Sequence, residues 1–244
     1  MNVIELKEKK VGDLVKENIK SAHIFKKYGI DFCCGGGVTI ERACRKENVV
    51  FEELAADLIK LNEATATDQR YDRWELDFLS DYIVQTHHTY VEESMPMILS
   101  YAQKVASVHG HAHAPVIEIY KLFTDVVHEL TPHMKKEELI LFPFIKKMVK
   151  AEKENLAFEG GRFGTVQNPI DMMESEHEAA GTILKQIAKL SNNYTPPEWA
   201  CNTFKALYAK LDEFEQDLHL HIHLENNILF PKALALEKEL ATKK

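Results

Sequence analysis

His133-Met134-Lys135-Lys136-Glu137-Glu138-Leu139-Ile140-Leu141-Phe142-Pro143 and His221-Ile222-His223-Leu224-Glu225-Asn226-Asn227-Ile228-Leu229-Phe230-Pro231 lie 88 residues apart and share the pattern H-x3-E-x3-L-F-P. Agreement at five fixed positions, the uncommon His and Pro among them, marks the stretches as equivalent halves of a duplicated helix pair. A spacing of four puts each His and Glu on one helix face, about one turn apart. The same face carries the apolar stripe: Leu211, Phe214 and Leu218 before His221, Ile228 and Leu229 after Glu225. In the first copy Val126 and Leu130 precede His133, and Ile140, Leu141 and Phe144 follow Glu137. The polar pair therefore interrupts each inward stripe. A lone carboxylate in a bundle core is costly to desolvate, so two matched intrusions ask for a shared cation.

If the pair is duplicated, the other helix of each half contributes too. His177 lies 44 residues before His221, on a stripe with Ile170, Met173, Ala180 and Leu184. The matching position before His133 is His87 or His88, both with apolar neighbours; a spacing of 45 rather than 46 favours His88. The candidate set is then His88, His133, Glu137, His177, His221 and Glu225. Four imidazoles and two carboxylates exceed the four ligands of a tetrahedral zinc. They suit two transition ions, each Glu bridging and each ion receiving two His. Mixed nitrogen and oxygen ligation without cysteine favours iron or manganese, and ligand chemistry alone leaves manganese open. His219 and His223 fall on the far side of the helix from His221 and read as solvated. His109, His111 and His113 read as a plain helix-breaking loop. The LFP tails read as packing and helix-bending elements, because proline removes a backbone donor and kinks a helix.

Working outward, the 244 residues carry a formal charge of −8, are 45% hydrophobic and 28% charged, as expected of a folded chain and not a disordered one. The negative balance argues against nucleic acid or an anionic membrane as the main partner. No run approaches the ~18 apolar residues of a membrane span. Met1 to Lys7 has no apolar run before its charges, so no signal peptide is expected. β-Branched alternation is nearly absent and most of the chain repeats every three to four residues, which predicts an all-α fold. A first unit covers residues 1–62: one helix up to Tyr28, a glycine turn and two shorter helices ending near Leu61. Residues 63–73 are polar and read as a linker. Residues 74–244 hold four long helices, about 74–108, 115–152, 168–193 and 197–240, which with short connections imply a four-helix bundle.

The four cysteines are Cys33, Cys34, Cys44 and Cys201. An adjacent pair suits neither a disulfide framework nor a CxxC motif, so free thiols in a reducing cytoplasm are expected. Tyr28 to Gly37 precedes a helix beginning near Val38 or Thr39. Gly35, Gly36 and Gly37 are expected to supply positive-φ geometry and to leave Cys33 and Cys34 at a helix N-terminus, which favours thiolate. Two half-buried cysteines before a plain turn are the alternative.

Ile30 to Gly37 (IDFCCGGG), the M-x-S-E-H of Met173 to His177 and the duplicated H-x3-E-x3-LFP together resemble the Repair of Iron Centres family of di-iron proteins, from about Val11 to the end. That family pairs a short cysteine domain with a haemerythrin-like four-helix bundle. The resemblance implies a cytoplasmic, stress-induced and often homodimeric protein that restores iron–sulfur clusters damaged by nitric oxide or peroxide. It implies two non-haem iron ions with two carboxylate bridges, which fall on Glu137 and Glu225. The family's first-helix ligand lies eight residues before a proline; Pro96 makes that His88. The remaining imidazoles fall on His133, His177 and His221, and the cysteine pair on Cys33 and Cys34. A third glycine, Gly37, departs from the family's turn without touching the metal residues. The implied partners are damaged iron–sulfur proteins, with NO or O2 as small ligands. Competing readings are an O2 or NO carrier or sensor, and a di-iron NO reductase.

Overall fold

The computed structural model describes residues 3–64, 70–158, 160–161 and 164–242. Within these the chain is helical, with two isolated β-bridges, Lys10 to Thr39 and Gly161 to Gly164. The N-terminal unit contains α1 (Val3–Glu8), α2 (Val11–Glu17), α3 (Ser21–Lys27), α4 (Ile40–Glu47) and α5 (Phe51–Ala64). The single helix expected up to Tyr28 is thus three short ones. The break after α1 arises because Lys9 and Lys10 turn to pair with the segment before α4: Ile40 N–H donates to Lys9 O at 2.9 Å and Val11 N–H to Val38 O at 3.0 Å. The break after α2 is an Asn turn, with Asn18 Oδ1 accepting from Lys20 N at 3.0 Å. Neither break carries the Gly or Pro that would announce it.

α3 ends in a Schellman motif. Gly29 takes φ 68°, its N–H bonds Lys26 O, and Ile30 N–H reaches back to Phe25 O. Positive φ is therefore needed at Gly29; among Gly35, Gly36 and Gly37 no positive φ occurs, contrary to expectation. What the glycine turn supplies is close approach. A Cβ on Gly36 would stand 2.4 Å from Phe32 O, and one on Gly12 would stand 2.5 Å from Asn227 Oδ1.

α5 runs to Ala64, through residues 63–64 at the start of the expected linker; residues 65–69 lie outside the described residues, and Tyr71–Arg73 form a 3-10 turn. The bundle follows: α6 (Leu76–Tyr82), α7 (Thr89–His109), α8 (Pro115–Lys136), α9 (Phe142–Lys153), α10 (Gln167–Leu190), α11 (Asn202–Leu224) and α12 (Phe230–Thr242). Three π-helical turns, Ile83–His88, Glu137–Leu141 and Glu225–Leu229, join α6 to α7, α8 to α9 and α11 to α12, so that among the described residues α6 to α12 make four long bundle rods after the N-terminal five helices. The α7 rod packs beside α8 and α11, and α10 beside α8 and α11. The last rod begins at Asn202 instead of 197, because Pro196 and Pro197 lie in a turn in which Ala200 N–H bonds Pro197 O. Residues 159 and 162–163, within the connection expected between the second and third long helices, lie outside the described residues. No described helix is long and apolar enough to cross a membrane.

Two apolar cores result. One unites the N-terminal unit (Val11, Phe25, Ile40, Leu54) with half of the bundle (Val91, Phe123, Leu184, Leu211). The other fills the bundle's opposite half (Leu79, Ile145, Ile170, Phe230). Each rod passes from one core to the other at one place: near His88, near Glu137, near His177 and near Glu225. The polar residues therefore form a layer between two dry plugs.

Candidate metal centre

The π turns set the register of this layer. A π turn inserts one residue into an α-helix, and Pro143 and Pro231 follow two of them, where a proline ring would clash with the carbonyl four residues back in regular helix. The LFP tails thus end a widened turn that begins at each glutamate. The extra residue also rotates the following side chains. Leu141 and Phe144 are buried as expected; Ile140 is 50% exposed, whereas Ile228 at the matching position of the second copy is buried, where α2 of the N-terminal unit packs on that π turn.

All six expected residues converge. His88, Glu137, His221 and Glu225 form one group whose candidate ligand atoms lie within 4.8 Å of one another, and His133, Glu137, His177 and Glu225 form the other. Both glutamates belong to both groups. Glu137 Oε2 stands 3.4 Å from His88 Nε2 and 3.4 Å from His133 Nε2. Glu225 places Oε2 3.2 Å from His177 Nε2 and Oε1 3.1 Å from His221 Nε2. Both carboxylates are fully buried.

The hydrogen bonds around the layer test whether it suits cations. His88 Nδ1–H donates to Glu138 Oε1 at 2.9 Å, His133 Nδ1–H to Glu176 Oε2 at 2.8 Å, and His177 Nδ1–H to Asn226 Oδ1 at 2.8 Å. Each bond fixes the tautomer whose Nε2 is an unprotonated acceptor. His133 Nε2 and His177 Nε2 then stand 3.1 Å apart, a contact that needs a proton or a cation between them. His88 Nε2, both Glu137 oxygens and Glu225 Oε2 find no hydrogen-bond partner. A buried array of acceptors without donors is costly, and the donor set fits two cations held by nitrogen and carboxylate. His221 differs, because its Nδ1 has no partner.

Electrostatics follow from the same crowding. Burial pushes the Glu225 carboxyl up, but the adjacent His221 and His177 outweigh it and hold it well below the carboxylate range. Burial lowers His177, yet the Glu225 carboxylate beside its Nε2 and the nearby Glu137 raise it to about 9 in the metal-free chain. Glu138 and Glu176, although partly desolvated, stay below the usual range because Lys135 and Lys136 respectively, together with the imidazoles, favour the charged form. Lys135 Nζ bonds Glu138 at 2.7 Å, and Lys136 pairs with Glu176. Sequence reasoning missed Glu138, Glu176 and Asn226. Each is adjacent to a candidate ligand (Glu137, His177 and Glu225), and that adjacency was the available signal.

His219 and His223 are not solvated. His223 is fully buried and His219 partly so, with the Phe32 ring 6.0 Å and 5.8 Å from them. The helical period correctly turned them away from His221; what it does not report is that the N-terminal unit covers that face. Burial pushes His223 down to about 3. His87 is also buried, with Nδ1 2.9 Å from Asp217 Oδ1, and belongs to neither four-residue group. At the other pole His109 ends α7 and His113 follows it, both packing on Trp199 and Phe204, with His109 Nε2 3.3 Å from Cys201 Sγ; His111 is exposed.

The cysteine turn sits against the bundle beside the layer. Asp31 Oδ1 accepts from Cys33 N and Cys34 N at 3.1 Å and from the Cys33 thiol at 3.2 Å, and Lys185 Nζ holds Oδ2 at 2.9 Å. α4 begins only at Ile40, capped by Thr39, so the thiols do not lie at its N-terminus. The thiols stand 4.0 Å apart. Their mutual hydrogen bond favours charge on Cys34, which is pulled down, and together with burial and Asp31 pushes Cys33 well up.

The ScdA_N family, described as Domain of Unknown function (DUF542), matches residues 7–62, and the Hemerythrin HHE cation binding domain matches residues 79–233. The iron-sulfur cluster repair protein YtfE of Yersinia pseudotuberculosis serotype IB (strain PB1/+) is 36% identical over 231 residues, spanning 95% of this chain and 99% of the relative. The protein of the same name from Yersinia pestis (strain Pestoides F) matches with the same identity and coverage.

Proposed function

We propose, because the chain belongs to the iron–sulfur cluster repair family, that it restores iron–sulfur clusters damaged by oxidative or nitrosative stress. It does so as a di-iron protein, with damaged cluster proteins as partners and NO or O2 as small ligands. The division runs 1–62 for the cysteine domain, 63–73 for the linker and 74–244 for the bundle. By family resemblance the chain works in the cytoplasm as a homodimer.

The observation that carries this reading is the double group of buried acceptors sharing Glu137 and Glu225. His88 and His221 would hold one ion, His133 and His177 the other, and the two glutamates both. Bound iron supplies a ferrous–ferric couple and is the cargo delivered to a damaged cluster. The chain's own residues do the rest. Glu138, Glu176 and Asn226 keep three imidazoles in the ligating tautomer. The apolar cores above and below keep bulk water from the layer. Cys33 and Cys34 face the partner's chemistry from the N-terminal unit.

The test is restoration of activity to an iron–sulfur enzyme inactivated by NO, with iron-loaded chain added. Restoration by wild type, lost in Cys33→Ser/Cys34→Ser with its iron spectrum unchanged, supports repair. Equal restoration by that variant points to a carrier, and sustained NO consumption with a simple reductant points to a reductase.

A further inference from the structure

The cluster of Asp31, Cys33 and Cys34 is a third group of candidate ligands whose atoms lie within 4.8 Å of one another. It lines a cavity of about 620 Å³ between the N-terminal unit and α10. Asn226 lines the same cavity, and its Oδ1 accepts from His177 Nδ1. One wall is therefore shared by the thiol pair and the six-residue layer. Asp171, Glu174 and Glu178 make the cavity acidic against two lysines, Lys46 and Lys185. Such a lining concentrates cations and repels anions.

We infer that Asp31, Cys33 and Cys34 form a separate binding site for one thiophilic divalent cation, ferrous iron in passage between the bundle and a recipient protein. This rests on the repair reading above and adds a station to it. The spacing fits a bound ion. Two sulfurs bonded to one tetrahedral ion at about 2.3 Å each stand roughly 3.8 Å apart, and the thiols stand 4.0 Å apart. A disulfide needs about 2.05 Å. Two thiolates select soft or borderline ions, and the carboxylate keeps ferrous iron among them. On binding, the ion forms two metal–sulfur bonds and both thiol protons leave to solvent through the cavity, with no electron transferred. The Cys33 thiol then no longer donates to Asp31 Oδ1, which opens one direction at that oxygen to the ion as third ligand while it still accepts from Cys33 N and Cys34 N and Oδ2 stays with Lys185. The remaining position is open to the cavity, as a transfer site requires.

Cobalt(II) is the probe, added without air to the full chain with its thiols counted as reduced. Sulfur-to-cobalt charge-transfer absorption separates this site from the bundle set, which contains no sulfur, and its loss in the Ser variants below separates it from the free Cys44 and Cys201. The expected result is one thiolate-bound cobalt per chain beyond the two in the bundle. The absorption should vanish in Cys33→Ser and in Cys34→Ser, both still holding two cobalt ions. Asp31→Asn should weaken that third site roughly tenfold or more, at least what loss of an outer partner of a metal ligand costs, with circular dichroism showing the fold retained. Absence of the charge-transfer band with both thiols free would overturn the site, as would its persistence in both Ser variants or a Cys33–Cys34 disulfide in chain purified without air. A chain that shows the band but fails to hold two further ions contradicts the bundle reading instead.

Discussion

Asn227 donates its side-chain Nδ2–H to the carbonyl oxygen of Cys33 at 2.9 Å, two residues beyond Glu225 on the same π turn. Asn226 between them takes the opposite direction, to His177. One turn of helix thus supplies a shared carboxylate, orients an imidazole and pins the cysteine turn. Asn227→Ala should loosen the turn at a cost of about 1–2 kcal/mol, lowering Tm by roughly 2–8 °C. Cys34 should then be alkylated faster, with iron per chain unchanged. An unchanged alkylation rate would mean that the turn is held by its other contacts.

Glu176→Gln removes the charged acceptor of His133 Nδ1–H and leaves Lys136 without its carboxylate partner. Loss of such an outer partner costs roughly 10–100-fold in metal affinity. Competition against a chelator should show one weakened ion. Equal retention by variant and wild type would place the orienting role elsewhere.

The buried acceptors predict opposite effects in the empty and loaded chain. Glu137→Gln replaces a fully buried carboxylate, so the metal-free variant should melt no lower than metal-free wild type. Loaded wild type should melt on the order of 10 °C above its metal-free form, since an ion that binds only the folded state stabilises it by several kcal/mol. The variant should lose most of that increment. Calorimetry with and without chelator reads both, and an undiminished increment would remove Glu137 from the site.

His219→Ala should leave iron content intact, because neither group of converging ligands includes His219. The cost should appear in the packing of Phe32, whose ring lies against it, as a lower Tm. Iron loss in this variant would mean the ligand face of α11 is misassigned.

The duplicated motif made the bundle and the six inward residues legible, because His and Glu intruding on an apolar stripe have few physical excuses. Spacing alone also separated His88 from His87, which is buried as well but bonds Asp217. Periodicity failed at Ile140, which is half exposed although its counterpart Ile228 on an identical π turn is buried, because α2 covers only the second copy. It failed again at His223, whose burial depends on a second unit arriving from far away in sequence. The break after α1 was illegible for the same reason, since Lys9 and Val11 bond to partners near residue 39. Gly36 and Gly12 are explained by crowding against Phe32 and Asn227, which composition does not reveal.

The central claim is that one chain holds two iron ions sharing Glu137 and Glu225. Iron analysis combined with Mössbauer spectroscopy, on protein purified without air and then oxidised, tests it most directly. The account predicts two irons per chain in a magnetically coupled pair, reduced to well below two in Glu137→Ala and in Glu225→Ala. A single uncoupled iron per chain, or full coupled iron in both variants, would contradict it.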